Sequence, residues 1–154
     1  MDRLDYGRYD GFDSYALHPH DPGVHLSGTG RLEAPPDEVD AVVSLCRLGA
    51  TQVPESLRDS HLDFRLLDTV ADDNPNLAYV HDDAARTVAR LRDQGRTVLL
   101  HCVAAQSRTP SVAVRYSMLR GVPFAAAMSD VRRALPGCSP RQHFVKALAA
   151  MEGP

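Results

Sequence analysis

The segment His101-Cys102-Val103-Ala104-Ala105-Gln106-Ser107-Arg108-Thr109-Pro110 places a thiol six residues before a guanidinium. It follows Thr97-Val98-Leu99-Leu100, a run as apolar as a central strand covered on both faces should be. It leads into Pro110 to Leu119, which suits a helix. A cysteine between a buried strand and a helix N-terminus meets the partial positive charge of the helix and a row of unpaired backbone N–H groups, and both favour thiolate. An arginine one turn further on folds back over the same cup and offers a planar fork to two oxygens of a tetrahedral oxyanion. Together they predict a thiol pKa drawn from about 8.5 towards the ~3.5–7.5 range of reactive cysteines. A phosphate in such a cup would have its phosphorus facing the sulfur.

The elements that must hold this cup can be read upstream and downstream of it. Val24 to Ser27 and Ala41 to Cys46 are strand candidates, the second β-branched and bounded by the turn-prone Arg47-Leu48-Gly49. Leu62 to Leu66 alternates with period two, as a half-exposed strand does. After a loop from Asp68 to Pro75, Leu77, Val80, Ala84, Val88 and Leu91 recur at helical steps, and Gly95 closes that helix. Pro123 to Leu135 and Pro140 to Met151 suit two more helices. Strands alternating with helices first and helices alone afterwards predict an α/β fold: a mostly parallel central sheet flanked by helices, with an all-helical C-terminal third. In such sheets ligands gather at the carboxyl ends of the strands.

The 154 residues suffice for one domain, read as residues 23–154 behind an N-terminal arm of residues 1–22 that lies over it. The arm carries Tyr6, Tyr9 and Tyr15, and ends in His18-Pro19-His20-Asp21-Pro22. Its two histidines lack a partner at a metal-binding spacing, so a surface turn is expected there. A hydrophobic fraction of 44% and a charged fraction of 24% exclude a disordered or fibrous chain. A formal charge of −3, with no run near the ~18 apolar residues of a membrane span, weighs against nucleic-acid and membrane partners. The oligomeric state is left open. Cys46, Cys102 and Cys138 are too few and too scattered for a disulfide framework or a zinc spacing, and the acidic N-terminus lacks the basic start and apolar run of a signal peptide. A cytoplasmic setting is expected. Lys146 is the only lysine against sixteen arginines, a bias that fits GC-rich coding in a bacterium.

The loop resembles the HC-x5-R-[ST] signature of the protein tyrosine phosphatase superfamily, and the surrounding chain is similar to the small dual-specificity phosphatases. The similarity runs from about Val24 to Met151 and includes Leu45-Cys46, Val98 to Cys102, Ser107-Arg108-Thr109-Pro110, and Arg133 to Pro140 followed by Phe144 and Leu148. The resemblance implies hydrolysis of phosphate monoesters without metal or other cofactor. Cys102 would form a phosphocysteine, while Arg108 and the amides of Val103, Ala104, Ala105, Gln106, Ser107 and Arg108 bind the phosphate oxygens. Thr109 would be the hydroxyl that hydrogen-bonds the sulfur, and His101 the ring that orders the loop and tunes the thiol.

The resemblance also implies an aspartate general acid on the loop after the strand ending near Leu67. Asp68 is favoured because it directly follows that strand; Asp72 and Asp73 are the alternatives. Ala105 stands where the family usually has glycine, which implies either positive φ at a non-glycine residue or a reshaped loop, and with it the alternative of a phosphate-binding module with impaired turnover. The loop residues Val103 to Ser107 are uncharged, which suggests a singly phosphorylated substrate such as phosphotyrosine or phosphoserine/threonine in a protein, with a non-protein phosphate ester as a further alternative. Gln106 is expected near the rim. Cys46 is read as core, with a resolving thiol for Cys102 as the minor reading.

Overall fold

A computed structural model describes residues 14–48, 52–64 and 77–151. Five strands, β1 (Tyr15–His18), β2 (Asp21–Ser27), β3 (Ala41–Ser44), β4 (His61–Asp63) and β5 (Val98–His101), form one sheet in the order β1-β2-β5-β3-β4. β2, β5, β3 and β4 run parallel, and β1 adds an antiparallel edge. Four helices follow the upstream strands: α1 (Leu77–Asp93), α2 (Arg108–Leu119), α3 (Phe124–Ala134) and α4 (Gln142–Ala150). The expected α/β architecture with a helical C-terminal third is therefore present.

The alternation of side chains along each strand divides the core in two. Val24, Leu26, Ala41, Val43, Val98 and Leu100 face the helices and meet Ala84, Val88, Val112, Tyr116, Phe144 and Leu148. Val42 and Leu99 point to the other face, where Leu32, Val39, Val53 and Leu57 cover them. β5 lies in the middle, paired with β2 and β3, and all four of its residues are buried, as its uninterrupted apolar run requires. Gly95, at φ 80°, ends α1 in the left-handed conformation that glycine permits, with Arg96 N–H donating to the Leu91 carbonyl at 2.9 Å.

Two features differ from the sequence expectation. Tyr15–His18 pairs with β2 as an edge strand, and β2 itself begins at Asp21, so the sheet reaches into the stretch read as an arm. His18 and His20 are not a simple surface turn either. His18 is buried, with Nε2 donating to the Ala113 carbonyl at 2.9 Å, and His20 bridges Ser117 Oγ and the Asp130 carboxylate at 2.9 and 2.8 Å. The partners lie about a hundred residues away in sequence, where no local spacing could reveal them. Burial holds the His18 pKa down to about 4, although its bond to Ala113 and the nearby Asp21 oppose the shift. Among the described residues no helix is long and apolar enough to cross a membrane.

Candidate active site

β5 ends at His101, and the chain turns through residues 102–107 before α2 begins at Arg108. This loop is held from outside by its own carbonyl groups. Thr29 clasps its start: the Thr29 N–H donates to the Val103 carbonyl at 2.9 Å, and Thr29 Oγ1 donates to the Cys102 carbonyl at 3.1 Å. The Ser139 N–H donates to the Gln106 carbonyl at 2.7 Å, and the Ser111 N–H and hydroxyl both reach the Ser107 carbonyl, at 3.0 and 2.6 Å. With these carbonyls anchored to the scaffold, the amides of Val103, Ala104 and Ala105 donate no hydrogen bond to another described residue. Ser107 occupies the N-cap position of α2, yet its hydroxyl accepts the Arg141 N–H at 3.0 Å instead of capping the helix. The positive end of α2 is thus open to an anion.

Cys102 sits at the root of this turn, 2% exposed, with its N–H donating to the Ser27 carbonyl at 3.3 Å. Arg108, six residues on, is part-exposed, and its guanidinium donates to the Leu45 carbonyl at 3.2 Å, which fixes the stem beside the loop that follows β3. Gln106 is exposed at the rim and Val103 and Ala104 are partly so, whereas Ala105 and Ser107 are buried. Ala105 adopts φ 55°, so alanine does take the left-handed conformation that the usual glycine would accept without strain. A cavity of about 190 Å³ lined by Tyr15, Ala105, Leu135, Pro136 and Cys138 backs this residue.

His101 is fully buried, and burial is the main reason its pKa is held down to about 4, with His61 and Arg108 adding repulsion and its contact with the Cys102 carbonyl opposing. Its ring is therefore neutral at pH 7. Nε2 lies 2.6 Å from Ser44 Oγ and Nδ1 lies 3.4 Å from the Cys102 carbonyl oxygen. Thr109 is likewise buried, and its Oγ1 has no hydrogen-bond partner among the described residues. Cys46, two residues after the end of β3, is buried, and its thiol is pushed up to about 12, first by burial and next by the neighbouring Cys102. Asp68, Asp72 and Asp73 lie outside the described residues.

The structure therefore brings together Cys102, Arg108, His101, Thr109 and the loop amides. Thr29, Ser44, Ser139 and Arg141 join them as supports that sequence reasoning did not single out. Thr29 and Ser44 lie just after or at the carboxyl end of a strand, where function was expected to gather, but nothing in their type marked them.

No protein-family model matches the chain. It is 30% identical over 104 residues to Dual specificity protein phosphatase 1 of Arabidopsis thaliana, an alignment covering 65% of this chain and 52% of that protein. It is 35% identical over 78 residues to Dual specificity protein phosphatase Mpk3 of Drosophila melanogaster, covering 50% of this chain and 19% of that protein. The chain thus spans about half the length of the first of these relatives and less of the second. Among solved structures, a mouse putative dual specificity phosphatase complexed with zinc tungstate superposes with a TM-score of 0.74 at 18% identity, over 92% of this chain and 86% of that one. Human DUSP28 superposes with a TM-score of 0.68 at 23% identity, over 83% and 86%. In sequence the chain is similar to dual specificity protein phosphatases, and it shares the fold of solved members of that group.

Proposed function

We propose that this protein hydrolyses phosphate monoesters, with phosphotyrosine or phosphoserine/threonine in proteins as the substrate class. The observation that carries the reading is the loop of residues 102–107: the carbonyls of Cys102, Val103, Gln106 and Ser107 are tied outward, the amides of Val103, Ala104 and Ala105 donate to no other described residue, and the N-terminus of α2 opens beside Cys102. Cys102 Sγ attacks phosphorus, the S–P bond forms, and the bond to the leaving oxygen breaks as an aspartate protonates that oxygen. Asp68 is assigned this role, with Asp72 and Asp73 as alternatives. The same carboxylate then takes a proton from water, which attacks phosphorus, breaks the S–P bond and releases phosphate. Arg108 and the amides of residues 103–108 bind the equatorial oxygens through both steps, neutralising charge that a metal neutralises in other phosphoryl transfers. The uncharged side chains of Val103 to Ser107 suit a substrate carrying one phosphate.

Hydrolysis of p-nitrophenyl phosphate that is insensitive to EDTA, blocked by vanadate and abolished in Cys102→Ser is the expected result; absence of turnover by the intact protein overturns the reading. Single Asp→Asn changes at 68, 72 and 73 assign the acid. The correct one lowers the rate with phenyl phosphate by about a hundredfold or more, and by less with the better p-nitrophenolate leaving group. One observation favours a second reading, a phosphate-binding module without turnover: Ala105 at φ 55° in the centre of the loop. Vanadate binding without hydrolysis between pH 5 and 8 would support it.

A further inference from the structure

Ser44 Oγ stands between two imidazoles. His101 Nε2 lies 2.6 Å away, and His61 Nε2 lies 2.8 Å away on the other side. β3 is flanked by β5 and β4, so Ser44, fully buried, is the contact between a buried histidine on the central strand and a half-exposed one on the edge strand. A hydroxyl has one hydrogen, so it donates to one ring and accepts from the other. The geometry decides which. Among the described residues His101 Nδ1 faces only an acceptor, the Cys102 carbonyl, and therefore carries the ring's proton. The ring is neutral, since burial disfavours its cation, so Nε2 is bare and accepts the Ser44 proton. Ser44 Oγ must then accept from His61, whose Nε2 must be protonated.

We infer that His61 is a positioning residue for Cys102: its Nε2–H, relayed by the Ser44 hydroxyl, locks His101 in the Nδ1–H tautomer that holds the Cys102 carbonyl. The Cys102 carbonyl is the first of the loop's outward anchors, shared with Thr29, and its orientation sets the direction of the next amide. The inference rests on the phosphatase reading for its effect on rate, but not for its effect on the thiol. The charged and titratable groups around the chain are few. Asp63, from its own strand, acts on His61, and His61 and Arg108 act on His101. Cys102 and Arg108 both act on Cys46.

Three variants separate positioning from bulk. His61→Phe fills similar space without a donor, His61→Gln restores an N–H at comparable reach, and Ser44→Ala removes the relay itself. Cys102 alkylation by iodoacetamide, followed across pH by mass spectrometry of the peptide containing Cys102, should titrate at higher pH in His61→Phe and Ser44→Ala and at the native position in His61→Gln. With p-nitrophenyl phosphate, kcat should fall about tenfold in the first two, with little change in KM, and recover in His61→Gln. The double variant should be no worse than Ser44→Ala alone. Nitrogen NMR of the native protein should place the His101 proton on Nδ1. An His101 proton on Nε2, or a His61→Phe variant that folds with an unchanged alkylation profile, overturns the inference. A shifted alkylation profile in a protein with no phosphatase activity would instead sink the phosphatase reading and leave the relay standing.

Discussion

Thr29 holds two consecutive carbonyls at the start of the loop, donating its backbone N–H to that of Val103 and its hydroxyl to that of Cys102, at 2.9 and 3.1 Å. The two bonds cross from the turn after β2 to the turn after β5, which are aligned because Ser27 and His101 are register partners. Thr29→Val keeps the shape and the backbone bond but removes the hydroxyl from a site that is 3% exposed. Loss of one buried hydrogen bond of ~1 kcal/mol should lower turnover of p-nitrophenyl phosphate about fivefold, weaken vanadate binding by a similar factor and reduce stability by about that energy. Unchanged vanadate affinity in a folded Thr29→Val protein would show that the loop keeps its shape without this clasp.

Ala105 tests whether the left-handed turn needs glycine. Relief of roughly 1–2 kcal/mol of strain in Ala105→Gly is offset by the extra chain entropy of glycine, ~0.5–1 kcal/mol, and by loss of a buried methyl, ~0.8 kcal/mol. The expected net change in unfolding free energy is within about 1 kcal/mol of zero, with vanadate affinity kept. Ala105→Val, β-branched at φ 55°, should lose both stability and anion binding. Urea unfolding and vanadate titration read these directly. A large gain in turnover in Ala105→Gly, with binding constant, would favour the non-hydrolytic reading of the native chain.

The sheet and the nucleophile's position were legible because they depend on local signals. Val98 to Leu100 could only be a strand buried on both faces, and Cys102, Arg108 and Thr109 follow it at fixed offsets. The supports were not legible. Thr29, Ser44 and Ser139 reach the loop through strand register and helix packing, and their contacts span thirty to seventy or more residues of sequence. His18 was misread for the same reason, since its environment is made by α2. The three aspartates considered for the acid fall outside the described residues, so their order of preference still rests on sequence.

Stability should fall as the pH drops from about 6.5 to about 4. His18 and His101 are both held near 4 in the folded protein, chiefly by burial, against an ordinary value of 6.5. Between those limits the unfolded chain binds protons that the folded chain does not, so acid favours unfolding; below 4 both states are protonated and the penalty no longer grows. Each histidine contributes a slope of up to ~1.4 kcal/mol per pH unit within the window. His18→Gln removes one titrating group while keeping a side-chain donor for the Ala113 carbonyl. The difference between native and variant unfolding free energies, measured in urea at pH 7, 6 and 5, should shrink or reverse as pH falls. A constant difference would mean that His18 does not titrate in this range.

Cys46 should not protect Cys102 by forming a disulfide. Its thiol is pushed up to about 12, chiefly by burial, so it stays protonated at pH 7 and supplies little of the attacking thiolate. Oxidation of Cys102 to a sulfenic acid would remove the repulsion from the Cys102 thiolate, but burial is the larger cause and would persist. Peroxide should therefore inactivate the native protein and Cys46→Ala at the same rate, and carry Cys102 on to sulfinic acid in both. Recovery of activity with dithiothreitol should decline with exposure time alike in the two proteins. Peptide mapping without reductant decides the matter: a Cys46–Cys102 disulfide formed within minutes at near-equimolar peroxide would show that the loop after β3 opens far enough to ionise Cys46.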